Sequence, residues 1–115
     1  MRWASAASER PDPEAAADEV VAGVLDALEA PPDAAFLFFG EAYAPGAEAL
    51  AARVRAGLGG GVLVGCSARS VIGAGHEIEG RPAVSLTAAR LPHVTVRPLR
   101  VAGEGFPRGA EAWCD

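Results

Sequence analysis

The 115-residue chain contains no lysine, no asparagine and no glutamine. Without lysine it can form no Schiff base and carries no phosphate-loop ammonium group. Without asparagine it has no glycosylation acceptor, and with neither amide side chain it cannot read adenine by bidentate amide contact. Cysteine is scarce as well: Cys66 and Cys114 stand far apart, in no metal-ligand spacing, which argues against a disulfide framework or a zinc site. No stretch approaches the roughly 20 apolar residues of a membrane span, Phe36 to Phe39 being the densest run of large apolar side chains. The amino terminus meets Glu9, Asp12 and Glu14 before any long hydrophobic region, so it does not read as a secretory signal, and a cytoplasmic location is expected.

What is present is a small acidic domain. Ten arginines against fifteen Asp and Glu give a net charge of −5. The arginines are scattered from Arg2 to Arg108, so there is no concentrated positive face for a phosphate backbone, and nucleic acid is not an expected partner. A chain of this length buries roughly 65% of its unfolded surface, enough for one core. That core is lean, because alanine supplies 26 residues and Val, Ile, Leu and Phe together only another 26.

Along the chain, Trp3 to Ser8 suits a first strand. Asp12-Pro13 then opens a helix, with Asp12 as cap, Pro13 in the first turn, and Glu14 and Asp18 at the positive end. Val20, Val21, Val24, Leu25 and Leu28 form its apolar stripe, and Pro31-Pro32 end it. Ala34 to Phe39 is apolar throughout, the pattern of a strand covered on both faces, which predicts helices on each side. A second helix is predicted from about Pro45 to Leu58, closed by Gly59-Gly60-Gly61, and Val62 to Cys66 reads as another buried strand. Val84 to Ala89 alternates as a strand with one wet face, and Val94 to Arg97 as its hairpin partner across Pro92-His93. The expected fold is therefore α/β with a mixed sheet, in the order β-α-β-α-β-β-β, with helices packed on the sheet and the first three strands parallel. The domain is expected over residues 1–101. Residues 102–115 have no periodicity and read as a tail.

The segment Gly65-Cys66-Ser67-Ala68-Arg69-Ser70, continuing to Gly75, holds the best candidate for function. It leaves the sheet where a strand following a helical crossover ends, the edge at which open α/β sheets collect ligands. Cys66, Ser67 and Ser70 are compact polar groups, Gly65 and Ala68 allow close backbone approach, and Arg69 offers a fork for a carboxylate or phosphate. A helical turn starting at Ser67 would add free N–H donors. The competing interpretation is that small residues merely permit a tight turn, with Arg69 exposed.

The stretch GCSARSVIGAGHEIEGRPAVSL resembles the segment after the third strand in FIST proteins (F-box and intracellular signal transduction). There Gly-Cys-Ser or Gly-Cys-Thr precedes small residues and Val-Ile-Gly or Glu-Ile. An opening strand near Trp3, a long helix, the Phe36 to Phe39 strand and a second helix resemble the start of the FIST amino-terminal domain, over roughly residues 1–101. Arg69 and Ser70 replace the small residue and glycine common there. The resemblance implies a bacterial sensory domain that recognises small molecules such as amino acids. Combined with the residues of the segment, it leads to the expectation of a non-catalytic domain that binds a small polar or anionic, amino-acid-like ligand at Gly65, Cys66, Ser67, Ala68, Arg69 and Ser70, without cofactor. It also implies a partner in a carboxyl-terminal FIST domain or a signalling protein. The full family domain is longer, so a partial domain is expected.

Other chemistries compete. Cys66 at a strand end with His76 or His93 as base would make a nucleophile, but no nucleophile signature surrounds it, and a cysteine acting as a small hydrophobe is commoner. His76, Glu77 and Glu79 could suggest a metal, yet neighbours in a strand point to opposite faces, so no metal site is expected. Trp113 fits either an interface anchor or part of a longer domain. A pure interaction module would pair the edge at Thr95 to Val101 with another sheet or a second copy, making the protein a homo-oligomer.

Overall fold

The computed structural model describes residues 1–103 together with 108, 109 and 111. The elements are β1 (Arg2–Ser8), α1 (Pro13–Leu28), β2 (Ala34–Phe39), a 3-10 segment (Glu41–Gly46), α2 (Ala47–Leu58), β3 (Val62–Ser67), β4 (Ser70–Gly73), β5 (His76–Glu79) and β6 (Val84–Arg90). The α/β class and the mixed sheet are as the sequence predicts. The main sheet has the order β1-β6-β2-β3, with β6 antiparallel to both neighbours and β2 parallel to β3. β1, β2 and β3 therefore run the same way, as two helical crossovers require, with β6 inserted between the first two.

α1 begins where Asp12 accepts the Ala15 N–H at 2.8 Å, with Pro13 in the first turn. A cap of this kind contributes about 1 kcal/mol. The helix ends at Glu29, in a left-handed conformation, whose N–H returns to the Leu25 carbonyl. α2 ends at Gly59, also left-handed. The two helices are tied on their outer sides by Arg53, which donates two 2.8 Å hydrogen bonds to Asp18 and thereby holds that carboxyl below its ordinary pKa.

Strand pairing sorts the sheet into two faces. The inner face carries the rows Ala4–Ala88–Ala35–Leu63 and Ala6–Leu86–Leu37–Gly65. These join Val20, Val24 and Leu28 of α1 and Leu50, Val54 and Leu58 of α2 in the main core. The alanines have a geometric use: a Cβ on Gly23 would stand 2.9 Å from the Ala6 Cβ, so α1 lies closer to β1 than larger side chains permit. The outer face carries Trp3–Ala89–Ala34–Val62, Ser5–Thr87–Phe36–Val64 and Ala7–Ser85–Phe38–Cys66. Over its β1–β6 half sits the β4–β5 hairpin, where Val71, Ile78 and Ala83 form a second small cluster with Ala7 and Ala68. The Ala74 N–H donates to the Ser5 hydroxyl at 3.2 Å.

Several expectations are corrected. Helices do not cover both faces of β2: both lie on the inner face, and Phe36 and Phe38 are 37% and 39% exposed on the other. β3 is not a buried strand but the sheet edge, half-buried at Val62 and Leu63 and exposed from Val64 to Ser67. β6, expected to face water on one side, is central and buried on both faces. Residues Val94 to Arg97 form no strand. β6 has β1 on one side and β2 on the other, so no hydrogen-bonding edge is left for a hairpin partner. The chain is turned away after β6 by Asp33, whose carboxylate accepts the Leu91 N–H at 2.6 Å. The hairpin forms earlier instead, at β4 and β5.

Tyr43, 1% exposed, locks the 3-10 segment to the loop before α1 by donating its hydroxyl to the Arg10 carbonyl. Burial first, then the nearby Glu19 and Glu9 charges, push its phenol pKa up. A raised folded-state value means that stability present below the ordinary tyrosine pKa of about 10 is lost as pH rises past it. The melting temperature should therefore fall as the pH is raised above about 10 in the parent chain and fall less in Tyr43→Phe. Parallel alkaline curves would show that Tyr43 does not carry the effect.

Candidate functional site

The carboxyl ends of β2 and β3 lie side by side, because the strands are parallel and paired from Ala34–Val62 to Phe39–Ser67. The chain leaves β2 at Gly40 and β3 at Ala68-Arg69, and the β5–β6 turn, Gly80 to Pro82, closes over the same end. Together Gly40, Glu41, Ala42, Arg69, Gly80, Arg81 and Pro82 line a cleft of about 450 Å³. Backbone bonds hold its walls: Gly40 N–H donates to the Ala83 carbonyl and Ala68 N–H to the Phe39 carbonyl, both at 2.9 Å.

The lining is charged. Arg69 has no acidic partner among the described residues, whereas Arg81 is paired with Glu9 outside the cleft. Glu41, also unpaired among the described residues, stands on the opposite chemical footing: two guanidinium groups suit a carboxylate or phosphate, and one carboxylate suits an ammonium group. A second cleft of about 800 Å³ lies on the other side of Arg81, lined by Glu9, Arg10, Glu19, His76, Glu77 and neighbouring apolar residues.

Of the six residues singled out in the sequence, Arg69 alone lines the first cleft. Gly65, Cys66 and Ser67 are exposed within β3, Ala68 is half-buried, and Ser70 begins β4. Ser67 starts no helical turn, so the anion site expected from free helical N–H groups does not form. The Ala68 N–H is already bonded to the Phe39 carbonyl and is not free for a ligand. Sequence reasoning passed over Glu41 and Arg81. Glu41 follows the other parallel strand, and its position at that strand's end was the available signal; Arg81 lies in a Gly-Arg-Pro turn, where nothing local marks it.

The catalytic alternative gains no geometry: Cys66 lies on the open sheet face beside Phe38, while His76 lines the second cleft and His93 sits in the turn after β6. No group of three His, Cys, Asp or Glu among the described residues is placed to hold a metal ion. No described helix is long and apolar enough to cross a membrane. Trp113 and Cys114 lie outside the described residues.

The model of the FIST N domain matches residues 33–107. The chain belongs to the FIST N domain family. The matched region begins at Asp33, takes in both parallel strands and the whole cleft, and is joined by β1 and α1 in one core. The FIST domain is associated with sensing in signal transduction. No curated protein and no solved structure matches the chain.

Proposed function

We propose that this FIST domain is a non-catalytic sensor that binds a small zwitterionic, amino-acid-like ligand in the cleft at the ends of β2 and β3. The observation that carries the reading is the charge set of that cleft, with Arg69 and Arg81 on one side of the ligand's chemistry and Glu41 on the other. Arg69 takes the carboxylate, because its guanidinium has no competing acid among the described residues. Arg81 assists after yielding part of its contact with Glu9, and Glu41 takes the ammonium group. The cleft holds no nucleophile and base in partnership, which favours recognition over reaction.

Thermal unfolding against a panel of amino acids and simple carboxylates tests this. A ligand at 100 times its dissociation constant adds about 2.7 kcal/mol and raises the midpoint by several degrees. Arg69→Ala should weaken such a ligand at least about tenfold, the scale of a hydrogen bond to a charged group. Glu41→Gln should weaken amino acids while sparing carboxylates that lack the amine. Unchanged affinity in Arg69→Ala would remove the site from this cleft.

A further inference from the structure

Edge strands of a sheet are normally protected by charge, proline or distortion, because their free backbone groups recruit other strands. β1, at one edge, carries Arg2, which is ion-paired to Glu29 at 2.9 Å. β3, at the other, has no such guard among the described residues. Its sequence Val-Leu-Val-Gly-Cys-Ser contains neither charge nor proline, and no charged residue occurs from Ala56 to Ala68 in a chain that is 22% charged.

The direction of its backbone groups follows from two hydrogen bonds. Val62 N–H donates to the Asp33 carbonyl at 3.0 Å and Ala68 N–H to the Phe39 carbonyl at 2.9 Å. In a parallel ladder alternate residues face the partner, so Leu63, Gly65 and Ser67 turn their N–H and C=O groups to the open edge. Beside them on the outer face stand Val64, 46% exposed, and Cys66, flanked by Phe36 and Phe38.

We propose that β3 pairs antiparallel with β3 of a second copy of this chain, about a two-fold axis at Gly65. This register sets Gly65 opposite Gly65 and Leu63 opposite Ser67, and lets all three outward-facing residues exchange hydrogen bonds, about six in total. It also places Val64 against Cys66 of the second copy, extending the apolar rows as Phe36–Val64–Cys66–Phe38 across the junction. A second copy is the occupant because the pairing is self-complementary and brings two charge-free segments of an acidic protein together, so no like charges meet. A contact confined to two edge strands and their flanking apolar groups lies at the small end of specific interfaces, around the roughly 1,000 Å² threshold, which gives a weak dimer. The dimer does not depend on the ligand reading, since the cleft residues lie beyond the strand end.

Sedimentation velocity of the 115-residue chain from about 2 to 200 µM should show monomer passing to dimer. Val64→Lys, which supplies the missing edge charge, should weaken the dimer at least tenfold with an unchanged far-UV spectrum. In a Cys114→Ser background a short bismaleimide should join the chains through Cys66, because diagonal neighbours across such a pair lie about 7–8 Å apart; Cys66→Ser should abolish the product. The cross-link decides the matter even if Val64→Lys fails to fold. A chain that stays monomeric at 200 µM, a dimer that Val64→Lys leaves intact, or a dimer that Cys66 cannot cross-link would each overturn the proposal, the first leaving the edge to a different protein.

Discussion

Gly65→Ala is expected to lower the melting temperature by 10 °C or more. A Cβ at Gly65 would fall 1.9 Å from the Leu37 carbonyl oxygen and 2.8 Å from its carbon, well inside contact distance. The obstacle is backbone of the neighbouring strand, which cannot turn aside as a side chain does. Either β3 parts from β2 or the β2–β6 pairing shifts, and Leu37 belongs to the main core. Overpacking typically costs about 1–3 kcal/mol where side chains adjust, and a backbone obstacle places this substitution at or above the upper end. At this chain length each kcal/mol moves the midpoint by about 4 °C. Gly46→Ala is the control: its Cβ would meet only the Pro13 Cγ, at 3.6 Å. A Gly65→Ala midpoint within 2 °C of the parent would show that the strands tolerate separation there. Because β3 delivers Arg69 to the cleft, the same substitution should also weaken the ligand.

The elements most legible in the sequence were those with local physical causes. The cap at Asp12, the proline block after Ala30 and the valine-leucine stripe between them placed α1 to within two residues. Glycine likewise marked the end of α2. What escaped was the neighbourhood of each strand. Ala34 to Phe39 is uniformly apolar whether a second layer of helices or open solvent covers Phe36 and Phe38, because periodicity cannot distinguish the two. Val94 to Arg97 has good strand periodicity, but a strand forms only where a partner edge is free, and β6 has none to offer.

The cleft was half legible for the same reason. Arg69 was found because the end of β3 could be located from its own residues. Glu41 required knowing that β2 and β3, expected to be parallel, are also neighbours, and Arg81 required knowing that the β5–β6 turn folds back over their ends. Both are long-range facts of topology. Cys66, the most conspicuous residue of the segment, lies on the open face of the sheet beside Phe38.

Leu86→Ala is expected to be the most costly truncation in the core, at about 3–5 kcal/mol, the upper part of the range for buried leucine. Leu86 is fully buried on the central strand, between Ala6 of β1 and Leu37 of β2 and beneath α1. The cost of a cavity depends on how well its surroundings relax into it, and here the inner-face neighbours at positions 4, 6, 35 and 88 are alanines, which have no side-chain reach. Leu63→Ala, at the half-buried edge, should cost about a third as much. Against the 5–15 kcal/mol typical of a folded domain, the loss at Leu86 takes a large part of the total. Urea titration measures it directly, and a loss under about 1.5 kcal/mol would mean that α1 settles onto the sheet to fill the space. In that event the alanine-rich face would be a sliding surface, and the helix, not the strand ends, would be the element free to respond when the cleft is occupied.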